Sequence, residues 1–264
     1  MRHSALLVVS FGTAYEETRQ KTLEVIEADL RSAFPERAFY RAWTSGMVRK
    51  KVLAECGRRS ESVPEAMERM LSDGVRDLLV QPTHMMAGVE YEAIRGAIRG
   101  YAARFDSLRL GEPLLTDPES LSALAGVIVS AYAGLRENEL LALMGHGSAR
   151  SAFAPYEQLD AKFAELGHAN ICVGTVEFEP GIAPVLARVE ARKPEKVIIA
   201  PLLVVAGDHA INDMAGDGEE SWKSQIGAMG VRTECVLRGL GEYAAVRSLY
   251  VERARRAGLV RAEA

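Results

Sequence analysis

Two histidines and two glutamates are the side chains of this 264-residue chain best suited, by type and setting, to metal and proton chemistry. His146 stands in Gly145-His146-Gly147-Ser148, directly after the apolar run at 139–145. Its flanking glycines let the backbone turn sharply and leave the imidazole clear of neighbouring side chains. His209 stands in Gly207-Asp208-His209-Ala210-Ile211-Asn212-Asp213, past another apolar run and at the start of a helical pattern. The positive end of a helix disfavours imidazolium, which keeps such a ring neutral and able to bind a metal, although the same end mildly opposes a bound cation. Glu177 closes the run at 170–177. Two neutral imidazoles and one carboxylate form a ligand set for a divalent transition metal. Each residue alone has a commoner use, as a hydrogen-bonded loop histidine or a solvated or capping carboxylate. Their shared position at the same end of adjacent strands brings the metal reading nearer to even with those uses.

Glu90 follows Gly88 in the block at 84–92. A carboxylate there is suited to accept a proton from a substrate N–H, and equally suited to complement a helix dipole. The apolar surroundings of His84 predict a buried, hydrogen-bonded structural histidine, while His3 and His168 read as surface residues. Met47, Met85 and Met86 suit an apolar pocket for a flat macrocycle, with ordinary core filling the commoner role. The loops at 10–13 and 145–148 lack the spacing of a P-loop, and no G-x-G-x-x-G follows a strand, so a nucleotide enzyme is unsupported. Ser10 and Ser148 would serve a phosphatase or transferase only with a nucleophile motif that is missing.

The elements that position these residues are short β-branched or leucine-rich runs alternating with helical patterns. Strands are expected at 5–10, 39–43, 77–82, 139–145, 170–177, 196–205 and 231–237. Leu23, Ile26, Leu30 and Phe34 repeat at helical spacing, as do Tyr91, Ile94, Ile98, Tyr101 and Phe105. Thr13 and Glu16 have the form of a capping box, and a last helix is expected from about Glu242. Nearly continuous apolar strands between helices indicate parallel sheets covered on both faces. The run at 6–13 resembles that at 140–148, matching Gly12 with Gly147 and Phe11 with His146. The run at 80–91 resembles that at 199–210, which sets Glu90 opposite His209. The reading is an α/β fold of two similar lobes, 1–137 and 138–264, each a parallel sheet flanked by helices in the flavodoxin manner. Ligands of such folds sit at strand carboxyl ends, here in a cleft between the lobes.

Bulk properties narrow the classes. A net charge of -4 and the absence of a basic tract argue against a nucleic-acid partner. Three scattered cysteines argue against a disulfide framework or a thiolate zinc site. No run approaches the roughly 20 apolar residues of a membrane helix, so a cytoplasmic address without a membrane partner is expected. Oligomeric state is open, a homo-oligomer included.

The segments at 5–13, 41–51, 88–92, 144–148 and 206–214 resemble those of the anaerobic cobalt chelatases, which make cobalt-sirohydrochlorin on the cobalamin pathway, and the likeness runs from about residue 5 to Tyr250. It implies ATP-independent insertion of Co2+ into sirohydrochlorin or precorrin-2, with no cofactor beyond the substrate metal. The family's metal ligands fall on His146, Glu177 and His209, and its cleft glutamate falls on Glu90, with His146, Glu90 and His209 serving catalysis. Nickel or iron insertion, or a carrier of metal or tetrapyrrole, is the alternative. Arg49, Lys50, Arg95 and Arg150 are candidates for meeting substrate carboxylates.

Overall fold

The computed structural model describes residues 3–147 and 155–261. In chain order the first half holds β1 (Ser4–Ser10), α1 (Glu16–Lys21), α2 (Leu23–Ala33), β2 (Ala38–Trp43), α3 (Gly46–Cys56), α4 (Val63–Ser72), β3 (Asp77–Pro82), α5 (Val89–Arg99), β4 (Ser107–Leu110) and α6 (Pro118–Ala131). The second holds β5 (Glu139–Gly145), α7 (Pro155–Glu165), β6 (Ile171–Thr175), α8 (Ala183–Arg192), β7 (Lys196–Pro201), a π-helical turn at Ala210–Met214, α9 (Trp222–Ala228), β8 (Arg232–Cys235), α10 (Ala244–Arg255) and β9 (Gly258–Leu259). Short 3-10 turns at Ala102–Arg104 and Leu240–Glu242 complete the set. No described helix is long and apolar enough to cross a membrane.

Both sheets follow one plan. The first is ordered β2-β1-β3-β4-β9 and the second β6-β5-β7-β8, parallel throughout except for β9. The central strands β1 and β5 are buried along almost their whole length, as expected of runs covered on both faces. Leu7 pairs with Tyr40 and Val80, and Leu143 pairs with Val173 and Ala200. Each sheet has its own core: Leu7, Val9, Met67, Met70 and Ile94 pack in the first, and Leu140, Val185, Val189, Trp222 and Ile226 in the second. Truncating any such leucine to alanine would cost about 2–5 kcal/mol.

The duplication extends to single hydrogen bonds. Thr83 N–H donates to the Val9 carbonyl and Leu202 N–H to that of Met144, both over 2.8 Å. Leu114 N–H donates to the His84 carbonyl, and Leu240 N–H to that of Leu203. The division of the chain differs from a cut at 137/138, however. One compact unit comprises residues 1–114 and 241–264, the other residues 115–240. Helix α6, which follows the fourth strand of the first repeat, packs with α7 in the second unit. Helix α10, which follows the fourth strand of the second repeat, packs on α2 in the first. Arg247 Nε there donates to Asp29 Oδ2 over 2.6 Å, and Tyr250 Oη donates to the Thr83 carbonyl over 2.9 Å. The two repeats thus exchange their last helices.

Two other expectations are corrected. Thr13 is not a helix cap: α1 begins at Glu16 behind Tyr15, and the Thr13 hydroxyl accepts the Tyr15 N–H instead. Full capping boxes form elsewhere, at Ser62 with Glu65 and at Asp117 with Ser120. Methionine as core filling fails for Met47, which is 78% exposed at the start of α3, and Met85 and Met86 are only partly buried.

Candidate metal centre

In the second unit the strand order reverses between β5 and β7, the switch point at which open α/β sheets bind ligands. His146 leaves the carboxyl end of β5, and His209 lies on the segment that follows β7. Glu177 lies two residues past β6, on the other side of β5. Three loops of one sheet end therefore deliver the three residues.

The loops are laced together by main-chain bonds. Val176 N–H donates to the Gly145 carbonyl and Glu177 N–H to that of His146, each over 2.9 Å. Gly147 makes the approach feasible: its φ is +90°, and a Cβ on it would meet the Glu177 carbonyl oxygen at 1.7 Å. Only glycine suits both conditions. The first unit repeats the lacing, with Thr44 N–H on the Ser10 carbonyl and Ser45 N–H on that of Phe11, beside Gly12 at φ +99°. There the three side-chain positions hold Phe11, Ser45 and Glu90, and the first two offer no strong metal ligand.

The side chains converge. His146 Nε2 lies 4.0 Å from Glu177 Oε2, and His209 Nε2 lies 3.9 Å from Glu177 Oε1. The imidazoles meet edge to face with centroids 5.0 Å apart. One ligand atom from each residue falls within 4.8 Å of the others, the one such grouping of three among the described residues. Ligand bonds of about 2.0–2.2 Å would hold the donors somewhat closer together than this, so small side-chain rotations suffice to close the shell. Both Nδ1 atoms face away onto protein oxygens: His209 Nδ1 lies 2.8 Å from Asp213 Oδ2, and His146 Nδ1 lies 3.1 Å from the Gly147 carbonyl. Oxygen partners of this kind accept from Nδ1–H, which leaves Nε2 as the ring nitrogen turned toward the cluster. The side chains of His146, Glu177 and His209 are 46%, 46% and 32% exposed, so the candidate cluster is open to solvent on one side.

Asp213 escaped the sequence reading, although it ends the His209 block and sits at the i+4 spacing from the histidine. Glu90 is exposed in the first turn of α5, and belongs to the first unit. His84 is buried at both ring nitrogens, yet neither has a hydrogen-bond partner, so the hydrogen-bonded histidine expected there is not found. Burial alone lowers its pKa to about 4. Ser10 is buried and accepts a hydrogen bond from the Thr83 hydroxyl, which removes it as a nucleophile. Ser148 and Arg150 lie outside the described residues. Arg49 and Arg95 are ion-paired with Glu65 and Glu92.

Residues 4–258 match the family described as cobalt chelatase (CbiK). The chain is 37% identical over 248 residues to the sirohydrochlorin cobaltochelatase of Salmonella typhimurium, covering 94% of this chain and 93% of that one. It is 29% identical over 246 residues to the sirohydrochlorin cobaltochelatase CbiKC of Nitratidesulfovibrio vulgaris, covering 92% and 86%. The fold is shared with SirB from Bacillus subtilis, solved with Fe3+, at a TM-score of 0.67 and 15% identity over 96% of this chain and 94% of that one.

Proposed function

The chain belongs to the cobalt chelatase (CbiK) family, and from that premise we propose that it inserts a divalent metal ion, cobalt as first choice, into sirohydrochlorin without ATP. The observation that carries the proposal is the convergence of His146 Nε2, Glu177 and His209 Nε2, with both Nδ1 atoms already engaged. The curated relatives supply the substrate class, and the cluster supplies a donor set suited to it. Insertion exchanges one divalent ion for two ring protons. The ion must shed water and the macrocycle must lose both inner N–H protons. A mixed nitrogen and oxygen shell holds such an ion and still releases it, where thiolates would retain it. Cobalt, nickel and iron all accept these donors, and precorrin-2 offers the same ring nitrogens as sirohydrochlorin.

In this reading Glu90 accepts pyrrole protons. What supports it is an exposed carboxylate at the position that His209 occupies in the other repeat. His146 takes a second proton once the metal has left it. The exposed Met47, with Met85 and Met86, offers adaptable apolar surface to a flat ring.

The test is spectrophotometric. Purified protein, sirohydrochlorin and Co2+ are mixed and the visible spectrum is followed. The expected result is many equivalents of cobalt-sirohydrochlorin per protein, abolished in His146→Ala and His209→Ala. Product that stops at one equivalent would identify a carrier. Normal turnover by either variant would overturn the ligand assignment.

A further inference from the structure

The two imidazoles of the cluster are held differently. His209 Nδ1 faces an anionic carboxylate oxygen of Asp213 at 2.8 Å, whereas His146 Nδ1 faces a neutral carbonyl at 3.1 Å. His209 is also the less exposed ring, at 32% against 46%.

The helical turn that carries the pair explains how Asp213 comes to stand there. In the repeat register Glu90 corresponds to His209, and the next residues, Tyr91 and Ala210, are both buried. The following buried position is Ile94 in the first unit, three residues on, but Met214 in the second, four residues on. The second unit therefore holds one extra residue, and the π-helical turn at Ala210–Met214 absorbs it, with Ala215 N–H reaching back to the Ala210 carbonyl over 3.2 Å. The consequence falls on the position four residues after the site residue. In the first unit it is Ile94, 1% exposed in the core; in the second it is Asp213, with a side chain 47% exposed. The inserted residue turns that position out of the core and sets its carboxylate beside the His209 ring. π turns are frequent at functional sites.

We propose that Asp213 is a positioning residue that makes His209 the anchoring donor of the metal pair and leaves His146 as the releasing one. The inference rests on the reading that His146, Glu177 and His209 hold the substrate ion. A carboxylate on Nδ1–H locks the tautomer, fixes the ring and strengthens the Nε2 lone pair as a donor. A neutral carbonyl at longer range does less of each. Insertion requires the ring nitrogens to replace protein donors one after another, so a chelatase needs one donor that lets go while another still steers the ion. The asymmetry of the two partners provides that order.

The test titrates the full-length protein with Co2+ alone, following the d–d absorption of the bound ion. Asp213→Ala should weaken binding about 10–100-fold, as loss of such a partner does at other metal sites. Asp213→Asn, which still accepts the Nδ1 proton but carries no charge, should fall between Asp213→Ala and wild type, and it gives the answer should the alanine variant unfold. His146→Ala should cost less affinity than His209→Ala. The double variant Asp213→Ala/His209→Ala should bind no worse than His209→Ala, because Asp213 acts through that ring. Wild-type affinity in both Asp213 variants, or a full extra loss in the double variant, would overturn the role of Asp213. Equal losses in the two histidine variants would overturn the asymmetry. Failure of the wild type to bind Co2+, or unchanged binding by His209→Ala, is a different result and would remove the metal-centre reading itself.

Discussion

The backbone N–H of Glu177 donates to the carbonyl oxygen of His146 over 2.9 Å, so two of the three candidate ligands are tethered through their own main chains. The tether depends on Gly147, whose φ of +90° and contact with the Glu177 carbonyl leave no room for a Cβ. Forcing a side chain into that backbone region costs about 1–3 kcal/mol, and the overlap with main-chain atoms adds to it. Gly147→Ala should therefore lower stability by at least that amount in urea unfolding and weaken Co2+ binding in the same protein. A variant unchanged in both would show that the lacing does not set the site.

Glu177 itself should behave in the opposite way. Its side chain is 46% exposed, and its N–H bond to the His146 carbonyl is made by the main chain. Exposed substitutions of this kind usually change stability by less than about 0.5 kcal/mol. Glu177→Ala should thus melt with the wild type while losing Co2+ binding and insertion together. Retained binding, read by the same cobalt titration, would leave the imidazoles as the whole site.

What the sequence revealed, and what it hid, follows from which interactions are local. The runs at 77–82 and 139–145 are strands over just those residues, because apolar stretches buried on both faces announce themselves by composition. The duplicated Gly12 and Gly147 foretold two equivalent turns, since a positive φ is a demand that one residue meets. The exchange of α6 and α10 was illegible: an amphipathic pattern says that a helix has a buried face, not which sheet it covers. β4 (Ser107–Leu110) and β9 were too short to stand out from their surroundings. At the site, His146, Glu177 and His209 could be named from strand-end position, and the fold brings them together. Asp213 was hidden because its role depends on a π turn, and one inserted residue is visible only when the two repeats' burial patterns are compared. The opposite error occurred at Thr13, where a local capping motif gave way to a hydroxyl bond with Tyr15.

Glu90 supplies a prediction that separates proton transfer from metal binding. It belongs to the first unit, whereas the three candidate ligands all belong to the second. General-base groups contribute about 10²–10⁴-fold to rate. Glu90→Ala should slow cobalt insertion within that range while leaving the Co2+ titration curve unchanged. An equal fall in metal affinity would move Glu90 into the ligand set; an unchanged rate would return it to a helix-dipole role in α5.

His84 gives the fold a measurable pH dependence that the metal chemistry does not. As a residue it is partly exposed, but both ring nitrogens are shut away from solvent without partners, and the ring decides the proton affinity. Burial lowers its pKa from the ordinary 6.5 to about 4. Below pH 6.5 the unfolded chain therefore binds a proton at this site that the folded chain refuses. Unfolding then takes up protons, so the stability that neutral His84 allows is present above pH 6.5 and is lost as the pH falls toward 4. Between pH 7 and pH 5 this amounts to about 2 kcal/mol. His84→Leu removes the titrating group and the two unsatisfied nitrogens together, so it should be no less stable than wild type at pH 7. Urea unfolding of both proteins at pH 7 and pH 5 should show the wild type losing about 2 kcal/mol more than the variant. Parallel losses would mean that the imidazole finds a proton-accepting partner in solution.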